Sequence, residues 1–219
     1  MEIKGKSIAE VWEKSIKAIL SYYEQTKETV ITERDTTSIE IENIVLVVEN
    51  PLAMPKFSKL HPNIKYLKTY SKKTLDFKYQ KDVYARMVNL ESNQANVNQL
   101  EEAIEKLKSK WFTSKAVITI WNPYMDINSE HPPCTCLVQF YIRNRKLHLT
   151  SFFRSNDAWL CSHGDMIALT NLQKQVAEKI GLEVGTYTHI ACCYHIYEYD
   201  IYAAIVGFSE SLKDFIITK

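Results

Sequence analysis

The sequence feature that most restricts the fold of this chain is a pair of apolar segments joined by a short basic turn. Residues 136–141 and 146–153 flank an Arg-Asn-Arg sequence at positions 143–145, which is typical of two strands connected by a tight turn. In the second segment the odd-numbered residues 147–151 share one face, and the even-numbered residues 148–152 share the other. The pattern therefore predicts a β-hairpin whose second strand has two distinct faces.

Apolar residues at helical spacing predict three longer helices around this hairpin. The first begins at a capping box, Ser7-Ile8-Ala9-Glu10, and its apolar positions continue through Tyr23. Residues 98–110 and 165–180 have the same spacing, and Gly181 follows as a C-terminal stop.

Strand patterns occupy much of the remaining chain. β-Branched and apolar runs predict strands at 36–48, at 116–121, where the strand should be buried, and within 187–205. Residues 51–80 contain three prolines and many lysines, and we interpret this stretch as mostly loop. The fold class is therefore α+β, with a large mixed sheet in one domain that spans residues 1–219.

Composition excludes several classes of function. The chain has 219 residues and a net charge of +1, so no charge excess favours nucleic acid or a membrane surface. It has five glycines and no glycine-rich phosphate loop. No segment resembles a signal peptide or a membrane span, so we expect a cytoplasmic protein. Five cysteines, an odd number, argue against a disulfide framework.

The sequence HPPCTCLVQF at 131–140 places Cys134 and Cys136 two residues apart where the first hairpin strand begins. Such a pair is compatible with a metal clamp, a redox pair, ordinary buried thiols or a nucleophile. Zinc is disfavoured because no second pair of Cys or His ligands follows at zinc-site spacing, and we predict no metal. The two prolines before Cys134 place it at the strand edge, where a thiol can face a cleft.

Two polar clusters follow this cysteine pair. Residues 154–157, Arg-Ser-Asn-Asp, suit an anion site in which guanidinium and hydroxyl bind a phosphate, but equally a solvated turn with a surface Arg–Asp pair. His195 and Tyr197 share one strand face, so they either reach one ligand or form a half-exposed surface. Each cluster alone favours the structural interpretation.

Together the clusters resemble the thymidylate synthase family. The matching segments, in family order, are 118–122 (ITIWN), Pro133-Cys134, 139–141 (QFY), Lys146-Leu147, 154–157 (RSND), 181–185 (GLEVG) and 195–197 (HIY). From Cys134 to Tyr197 the family pattern fits without a gap. The short chain and compressed middle are most similar to archaeal-type members. The resemblance implies the family's three-layer α+β fold.

The resemblance also implies a role for each matching residue. Cys134, rather than Cys136, would be the nucleophile that adds to C6 of a pyrimidine, with Tyr84 near the C5 proton and Asp157 ordering pyrimidine and carrier. Arg34, Arg154 and Ser155 match residues that bind the nucleotide phosphate, and Lys115 matches a phosphate-binding residue that a partner subunit lends. His195 and Tyr197 match the residues that bind the sugar 3′-hydroxyl. Gln139 matches a residue of the nucleotide pocket, and Asp165 matches the residue that contacts the base.

Asp165 departs from the family, which has asparagine at this position. An amide can donate to O4 of uracil, whereas a carboxylate can only accept, as from the amino group of cytosine. Aspartate here resembles the related deoxycytidylate hydroxymethylases. The family's glutamate-bearing helix has no clear counterpart in residues 51–80, and 214–219 differ from its usual C-terminus.

The resemblance therefore predicts a homodimeric one-carbon transferase that converts dUMP to dTMP. Its co-substrate would be 5,10-methylene-tetrahydrofolate or methylene-tetrahydromethanopterin. Asp165 keeps deoxycytidylate hydroxymethylase open as an alternative. The altered segments keep open a nucleotide-binding homologue without turnover, although the presence of Cys134, Arg154 and Asp157 together argues against it.

Overall fold

The structure, a computed structural model, describes residues 1–32, 35–73, 83–90 and 96–217. The strands are β1 (Glu2–Gly5), β2 (Val30–Ile31), β3 (Thr37–Val48), β4 (Ala116–Thr119), β5 (Thr135–Arg143), β6 (Lys146–Asp157) and β7 (Glu183–Tyr197). The helices are α1 (Ile8–Thr26), α2 (Ile64–Lys73), α3 (Gln99–Ser109), α4 (Pro123–Asp126), α5 (Ser162–Ile180) and α6 (Glu198–Ile217), and a 3-10 helix covers Val83–Met87.

The predicted hairpin is formed by β5 and β6, which pair antiparallel from Arg143 opposite Lys146. Asn144 and Arg145 both have positive φ, 51° and 59°. Two successive left-handed residues match the right-handed twist of the flanking strands, as in a type I′ turn. The hairpin prediction is confirmed.

The strands form a mixed sheet in the order β1-β3-β7-β6-β5-β4, with β2 paired to β3. β6 and β7 are parallel, as are β1 and β3, and the other pairs are antiparallel. Since β6 and β7 are parallel and joined through α5, their carboxyl ends meet at one sheet edge. Asp157 pairs there with His195. Such an edge is where open α/β sheets bind ligands.

The predicted helices are confirmed as α1, α3 and α5. Ser7 caps α1 by accepting from the backbone N–H of Glu10 at 3.2 Å. The side chain of Glu10 in turn accepts from the backbone N–H of Lys6 at 2.8 Å, which completes the cap. Gly181 ends α5 with φ 71°.

The structure differs from the predicted elements in three details. The segment 51–80 contains α2, which begins where Asn63 Oδ1 accepts from the N–H of Tyr66 at 2.8 Å. Residues 198–205 are helical, as part of α6, rather than strand. In the described ranges five helices have ten residues or more, instead of about three.

The strand predicted at 116–121 is present at 116–119, but only one of its faces is buried. β4 is an edge strand in which Val117 is 40% exposed and Thr119 is exposed. Ala116 and Ile118 face the core and are fully buried. The apolar run therefore reflects one buried face rather than two.

The core lies between the sheet and α1, α5 and α6. Trp12 of α1 is fully buried and donates from its indole N–H to the carbonyl of Ala158 at 2.8 Å, just beyond the end of β6. Its ring lies 5.8 Å from that of Trp159 and 5.9 Å from that of Phe208 in α6. This packing fixes the chain where it leaves β6. In the part of the chain that is described, no helix is long and apolar enough to span a membrane.

Candidate active site

Cys134 lies one residue before β5, at the edge of the sheet where β6 ends. Its side chain is exposed, whereas the other four cysteines are partly buried. Its carbonyl oxygen accepts from the backbone N–H of Arg154 at 2.9 Å. The exposed thiol therefore lies beside the last residues of β6, as the proline pair before it predicts.

The guanidinium of Arg154 holds the segment that leads to Cys134. Nε donates to the carbonyl of Pro133 at 3.1 Å, and Nη2 donates to the carbonyl of Pro132 at 3.0 Å. The guanidinium carbon lies 6.0 Å from the ring centre of Trp121, within the range of a cation–π contact. A cation fixed here favours the thiolate form of a neighbouring cysteine.

Cys136 differs from Cys134 in a way that the sequence does not show. The pairing of β5 with β6 shifts by one residue between Thr135 and Leu137, so Cys136 is the extra residue of a β-bulge. Its carbonyl accepts from the N–H groups of Ile120 and Trp121 at 2.8 and 3.1 Å. Burial raises the pKa of its thiol. A protonated thiol in a bulge suits a structural role.

Residues 154–157 form the last four residues of β6, so their interpretation as a solvated turn is wrong. Ser155 Oγ lies 3.4 Å from Nδ1 of His195 across the parallel pair. The rings of His195 and Tyr197 are 4.7 Å apart and nearly perpendicular. The two predicted polar clusters are thus joined into one by the pairing of β6 with β7.

Asp157 is held rigidly at the end of β6. Its Oδ1 accepts from the backbone N–H groups of Trp159 and Leu160, both at 2.9 Å. The residue is half-buried. Because the chain turns around this carboxylate immediately after the strand, the local backbone helps to fix the position of the carboxylate.

Asp165 is a buried carboxyl group, 4% exposed, in the first turn of α5. Its Oδ1 accepts from the hydroxyl of Tyr70 at 2.8 Å, and its Oδ2 accepts from the amide nitrogen of Asn156 at 2.9 Å. Burial raises its pKa to about 7, although both donors act against this shift. Gly164 allows the close approach of α2, since a Cβ there would collide with the ring of Tyr70.

Tyr84, from the 3-10 helix, lies between Asp165 and Cys134. Its hydroxyl lies 2.8 Å from that of Thr135, the residue after Cys134. It also stabilises the charged form of Asp165 by hydrogen bonding. A phenol is therefore anchored between the predicted nucleophile and the predicted base-reading residue.

Comparison with known proteins identifies the family. The family model described as thymidylate synthase matches residues 20–211, which include all the residues above. The chain is 35% identical over 205 residues to a protein of Methanocaldococcus jannaschii that bears the name "Putative thymidylate synthase", with 89% of this chain and 90% of that protein covered. Proteins of the same name from Methanosarcina mazei and Methanothermobacter marburgensis are each 29% identical, with 90% of this chain covered and 90% and 93% of theirs.

The chain belongs to the thymidylate synthase family. The resemblance inferred from the sequence is thereby confirmed, as is its archaeal character. Thymidylate synthases are one-carbon transferases that bind a deoxypyrimidine monophosphate and a folate-type carrier. The edge where β5, β6 and β7 meet collects the residues that match the family's nucleotide site.

Two described residues of the predicted site, Gln139 and Lys115, are not brought into this cluster. Gln139 lies four residues along β5 from Thr135, about 13 Å at the usual rise of a strand, and its amide donates to the carbonyl of Ser114 at 2.8 Å. It therefore lies beside Lys115, which is exposed and whose predicted role is in a partner's site. Arg34 lies outside the described residues.

Several residues at this site could not be identified from the sequence. Tyr70 belongs to a helix hidden by the prolines and lysines around it. In the sequence, Asn156 is distinguished only as part of the polar segment 154–157, and His189 in β7 resembles an ordinary strand residue. His163, two residues before Asp165, faces away into the core, where its ring stacks on Trp12 at 4.9 Å and Nε2 donates to the carbonyl of Lys56.

The described part of this thymidylate synthase family member contains no group of three or more His, Cys, Asp and Glu side chains arranged to hold a metal ion. The site instead presents one guanidinium, one exposed thiol, two carboxyl groups and several hydroxyls. This set is suited to anion binding and to nucleophilic addition.

Proposed function

We propose that the protein transfers a one-carbon unit to C5 of a deoxypyrimidine monophosphate, and that it converts dUMP to dTMP. The observation that carries the proposal is the attachment of Arg154 to the carbonyls of Pro132 and Pro133 immediately before the exposed Cys134. This attachment fixes a cation on the segment that leads to Cys134, whose thiol is the one exposed thiol among the five cysteines, all of which lie in the described part of the chain.

In the proposed reaction, the thiolate of Cys134 forms a bond to C6 of the pyrimidine, and the electrons of the C5–C6 double bond make C5 nucleophilic. C5 then bonds to the one-carbon unit. Loss of the C5 proton and cleavage of the bond between the one-carbon unit and the carrier nitrogen would leave an exocyclic methylene group on C5. Addition of a hydride to this group would then expel the thiolate from C6 and restore the ring double bond. Tyr84 is the proposed group near the C5 proton, because Thr135 anchors its hydroxyl next to Cys134.

The proposed carrier is a methylene-tetrahydropterin, either 5,10-methylene-tetrahydrofolate or methylene-tetrahydromethanopterin. It would supply the one-carbon unit, and also a hydride when the product carries a methyl group. Asp157 suits such a ring because a carboxylate accepts from the N–H and amino groups of a pterin edge. The two backbone N–H groups that donate to Oδ1 hold this carboxylate in place at the end of β6.

The nucleotide would be bound by the remaining residues of the cluster. Arg154 has five N–H donors, of which the two carbonyl contacts use two, so it can also bind phosphate together with Ser155. His195 and Tyr197 would bind the sugar 3′-hydroxyl. Asp165 would contact the base.

We also propose a homodimer in which Lys115 of one subunit approaches the phosphate bound by the other. Even-numbered residues of β6, such as Thr150 and Phe152, remain half-exposed, while the alternate residues are buried against the helices. A sheet face of this kind suits pairing with a second copy. Arg34 and Gln139 belong to the same proposal as phosphate and pocket residues.

A second candidate, deoxycytidylate hydroxymethylase, is favoured by the contacts of Asp165. Both oxygens of Asp165 accept hydrogen bonds, from Tyr70 and Asn156, which is the arrangement of an ionised carboxylate. A carboxylate accepts from the 4-amino group of cytosine and repels O4 of uracil. In this reaction water rather than hydride would complete the transfer.

Release of tritium from the C5 position separates these functions. The protein is incubated with [5-³H]dUMP or [5-³H]dCMP and each of the two methylene carriers. We expect release from dUMP, its loss in Cys134→Ala, and its persistence in Cys136→Ala. Release from dCMP alone would reject the thymidylate synthase reaction in favour of the hydroxymethylase. No release from either nucleotide with either carrier would indicate a binding protein.

A further inference from the structure

A line of buried polar side chains runs from the middle of the sheet to Asp165. Ser151 Oγ lies 2.8 Å from Tyr187 Oη, which lies 3.0 Å from Nδ1 of His189. Nε2 of His189 lies 3.1 Å from Oδ1 of Asn156, whose amide nitrogen donates to Asp165 at 2.9 Å. All five side chains are at most 4% exposed. We call this line the buried relay.

The donors of the buried relay all point toward Asp165. Asn156 directs its amide nitrogen at the carboxylate, so its Oδ1 must accept from Nε2–H of His189. Burial lowers the pKa of His189 to about 3, so the imidazole is neutral and has a single N–H. Nδ1 is then an acceptor for the hydroxyl of Tyr187. Phe153 stacks on the imidazole at 4.4 Å and fixes its plane.

The direction of the relay depends on the charge of Asp165. In the reverse direction, Oδ1 of Asn156 would face Asp165, and only a protonated carboxyl could donate to it. The amide would then donate to Nε2 of His189, whose proton would move to Nδ1. The observed direction therefore matches an ionised Asp165.

We propose that His189 and Asn156 are positioning residues that hold Asp165 as a hydrogen-bond acceptor, and thereby set how strongly the site discriminates between a 4-amino and a 4-oxo group on the base. The consequence for the base rests on the proposed function; the effect on Asp165 does not. Neither residue contacts the reacting atoms. Their role is to supply Asp165 with a donor of fixed direction from inside the sheet, as a buried network can do.

Other titratable groups around Asp165 also affect the equilibrium between its protonated and ionised forms. The titratable groups that face it are Tyr66 and Tyr70 from α2, Tyr84 from the 3-10 helix, Asp157 from β6, Cys161 before α5, and Tyr187 and Tyr194 from β7. Burial raises the pKa of Cys161 and of Tyr70, so both remain neutral near pH 7. Asp157 is the ionised neighbour, and its charge opposes that of Asp165.

The test compares His189→Phe with the control Thr170→Val. Thr170 is fully buried in the same helix as Asp165, but its hydroxyl bonds only to backbone carbonyls of that helix. In protein labelled with [¹³Cγ]aspartate, the Asp165 signal is identified by its loss in Asp165→Asn. We expect His189→Phe to raise the titration midpoint of Asp165 by about one pH unit, the value of one charge-assisted hydrogen bond, and Thr170→Val to leave it unchanged.

Two further variants and one measurement on the wild-type protein complete the test. His189→Gln, whose amide N–H can donate to Asn156, should restore the midpoint. Tyr187→Phe should raise it less than His189→Phe. Nitrogen-15 NMR of the unmodified protein should show His189 protonated at Nε2, and protonation at Nδ1 would overturn the inference even where a variant fails to fold.

Binding of the nucleotides then separates this inference from the proposed function. At pH 7.5 calorimetry should show the ratio of dCMP to dUMP affinity falling about tenfold in His189→Phe, in line with the shifted midpoint. A midpoint unchanged by His189→Phe would overturn the inference even if both nucleotides bind. A shifted midpoint with no binding of either nucleotide would instead overturn the proposed function.

Discussion

The hydroxyl of Tyr70 donates to Oδ1 of Asp165 across 2.8 Å, and thereby joins α2 to the first turn of α5. Sequence comparison with the family leads one to look in this region for a helix that carries a glutamate. A helix, α2, does lie in this region, and its contact with Asp165 is made by a phenol that stabilises the carboxylate. Asp165 is therefore held from α2 on one side and from β6 on the other.

Replacing Tyr70 with phenylalanine should raise the pKa of Asp165 above its value of about 7. The variant removes one donor to the charged form but keeps the ring against Gly164, so the shift should be about one unit. The measurement is the Asp165 midpoint by ¹³C NMR. Tyr66→Phe is the control, because Tyr66 has a different partner, Cys161. An unchanged midpoint in Tyr70→Phe would contradict the assigned contact.

Asp165→Asn should make the protein less sensitive to pH. The folded protein retains the Asp165 proton up to about pH 7, whereas the unfolded chain loses it near pH 3.8. The folded state therefore binds more protons between these values, and the wild-type free energy of unfolding falls as pH rises through this window. The variant has no carboxyl group at this position and so does not lose free energy of unfolding in this way. Its stability relative to wild type should therefore increase by up to about 4 kcal/mol from pH 4 to 7.

Urea unfolding at intervals of pH measures this difference, and Asp126→Asn is its control. Burial acts to raise the pKa of Asp126, but the hydrogen bond and charge of Arg86 hold the pKa below its usual value. Its titration lies below pH 4, so the stability of that variant relative to wild type should stay constant across the same window. A constant difference for Asp165→Asn as well would show that Asp165 is ionised throughout.

The elements that could be predicted from the sequence are those specified by neighbouring residues. Ser7 and Gly181 mark the ends of helices through local backbone geometry, and Asn144 permits the hairpin turn in the same way. A resemblance over a long ungapped segment then assigns Cys134 and Arg154. These assignments need no knowledge of how the helices pack.

The surroundings of Asp165 could not be predicted, because they depend on contacts between distant segments. Tyr70 and Asp165 are 95 residues apart, and Asn156 and His189 are 33 apart. A histidine in a strand has no local feature that shows whether it faces solvent or a buried amide. Only the parallel pairing of β6 with β7 places His189 beside Asn156.

Arg154→Lys should slow the reaction and change the reactivity of Cys134. A lysine cannot reproduce the two-pronged contact with the carbonyls of Pro132 and Pro133. Both the segment before Cys134 and the positive charge at residue 154 would therefore no longer be held in place. We expect a loss of about a hundredfold in kcat/KM, or ~3 kcal/mol. The rate of Cys134 alkylation by iodoacetamide, as measured by peptide mass spectrometry, should also change, because the segment before Cys134 is no longer held in place.

Arg143→Lys is the matched control for this change. Arg143 lies at the hairpin turn, and its guanidinium donates to the carbonyl of Ile142, far from the cluster. Its replacement should alter neither the rate of the reaction nor the rate of Cys134 alkylation. Equal effects of the two replacements would show that Arg154 acts on folding alone.

His163→Gln should protect the protein against mild acid. Burial lowers the pKa of His163 to about 4, whereas an unfolded histidine titrates near 6.5. The unfolded chain therefore binds more protons between these values, so the stability that the neutral ring provides is complete above pH 6.5 and is lost as pH falls toward 4. Glutamine can still donate to the carbonyl of Lys56 but carries no titrating group. The wild-type protein should lose up to about 3 kcal/mol more than the variant between pH 7 and 4, measured by urea unfolding. His131→Gln, at an exposed position, should follow the wild-type curve, and parallel curves for all three proteins would contradict the prediction.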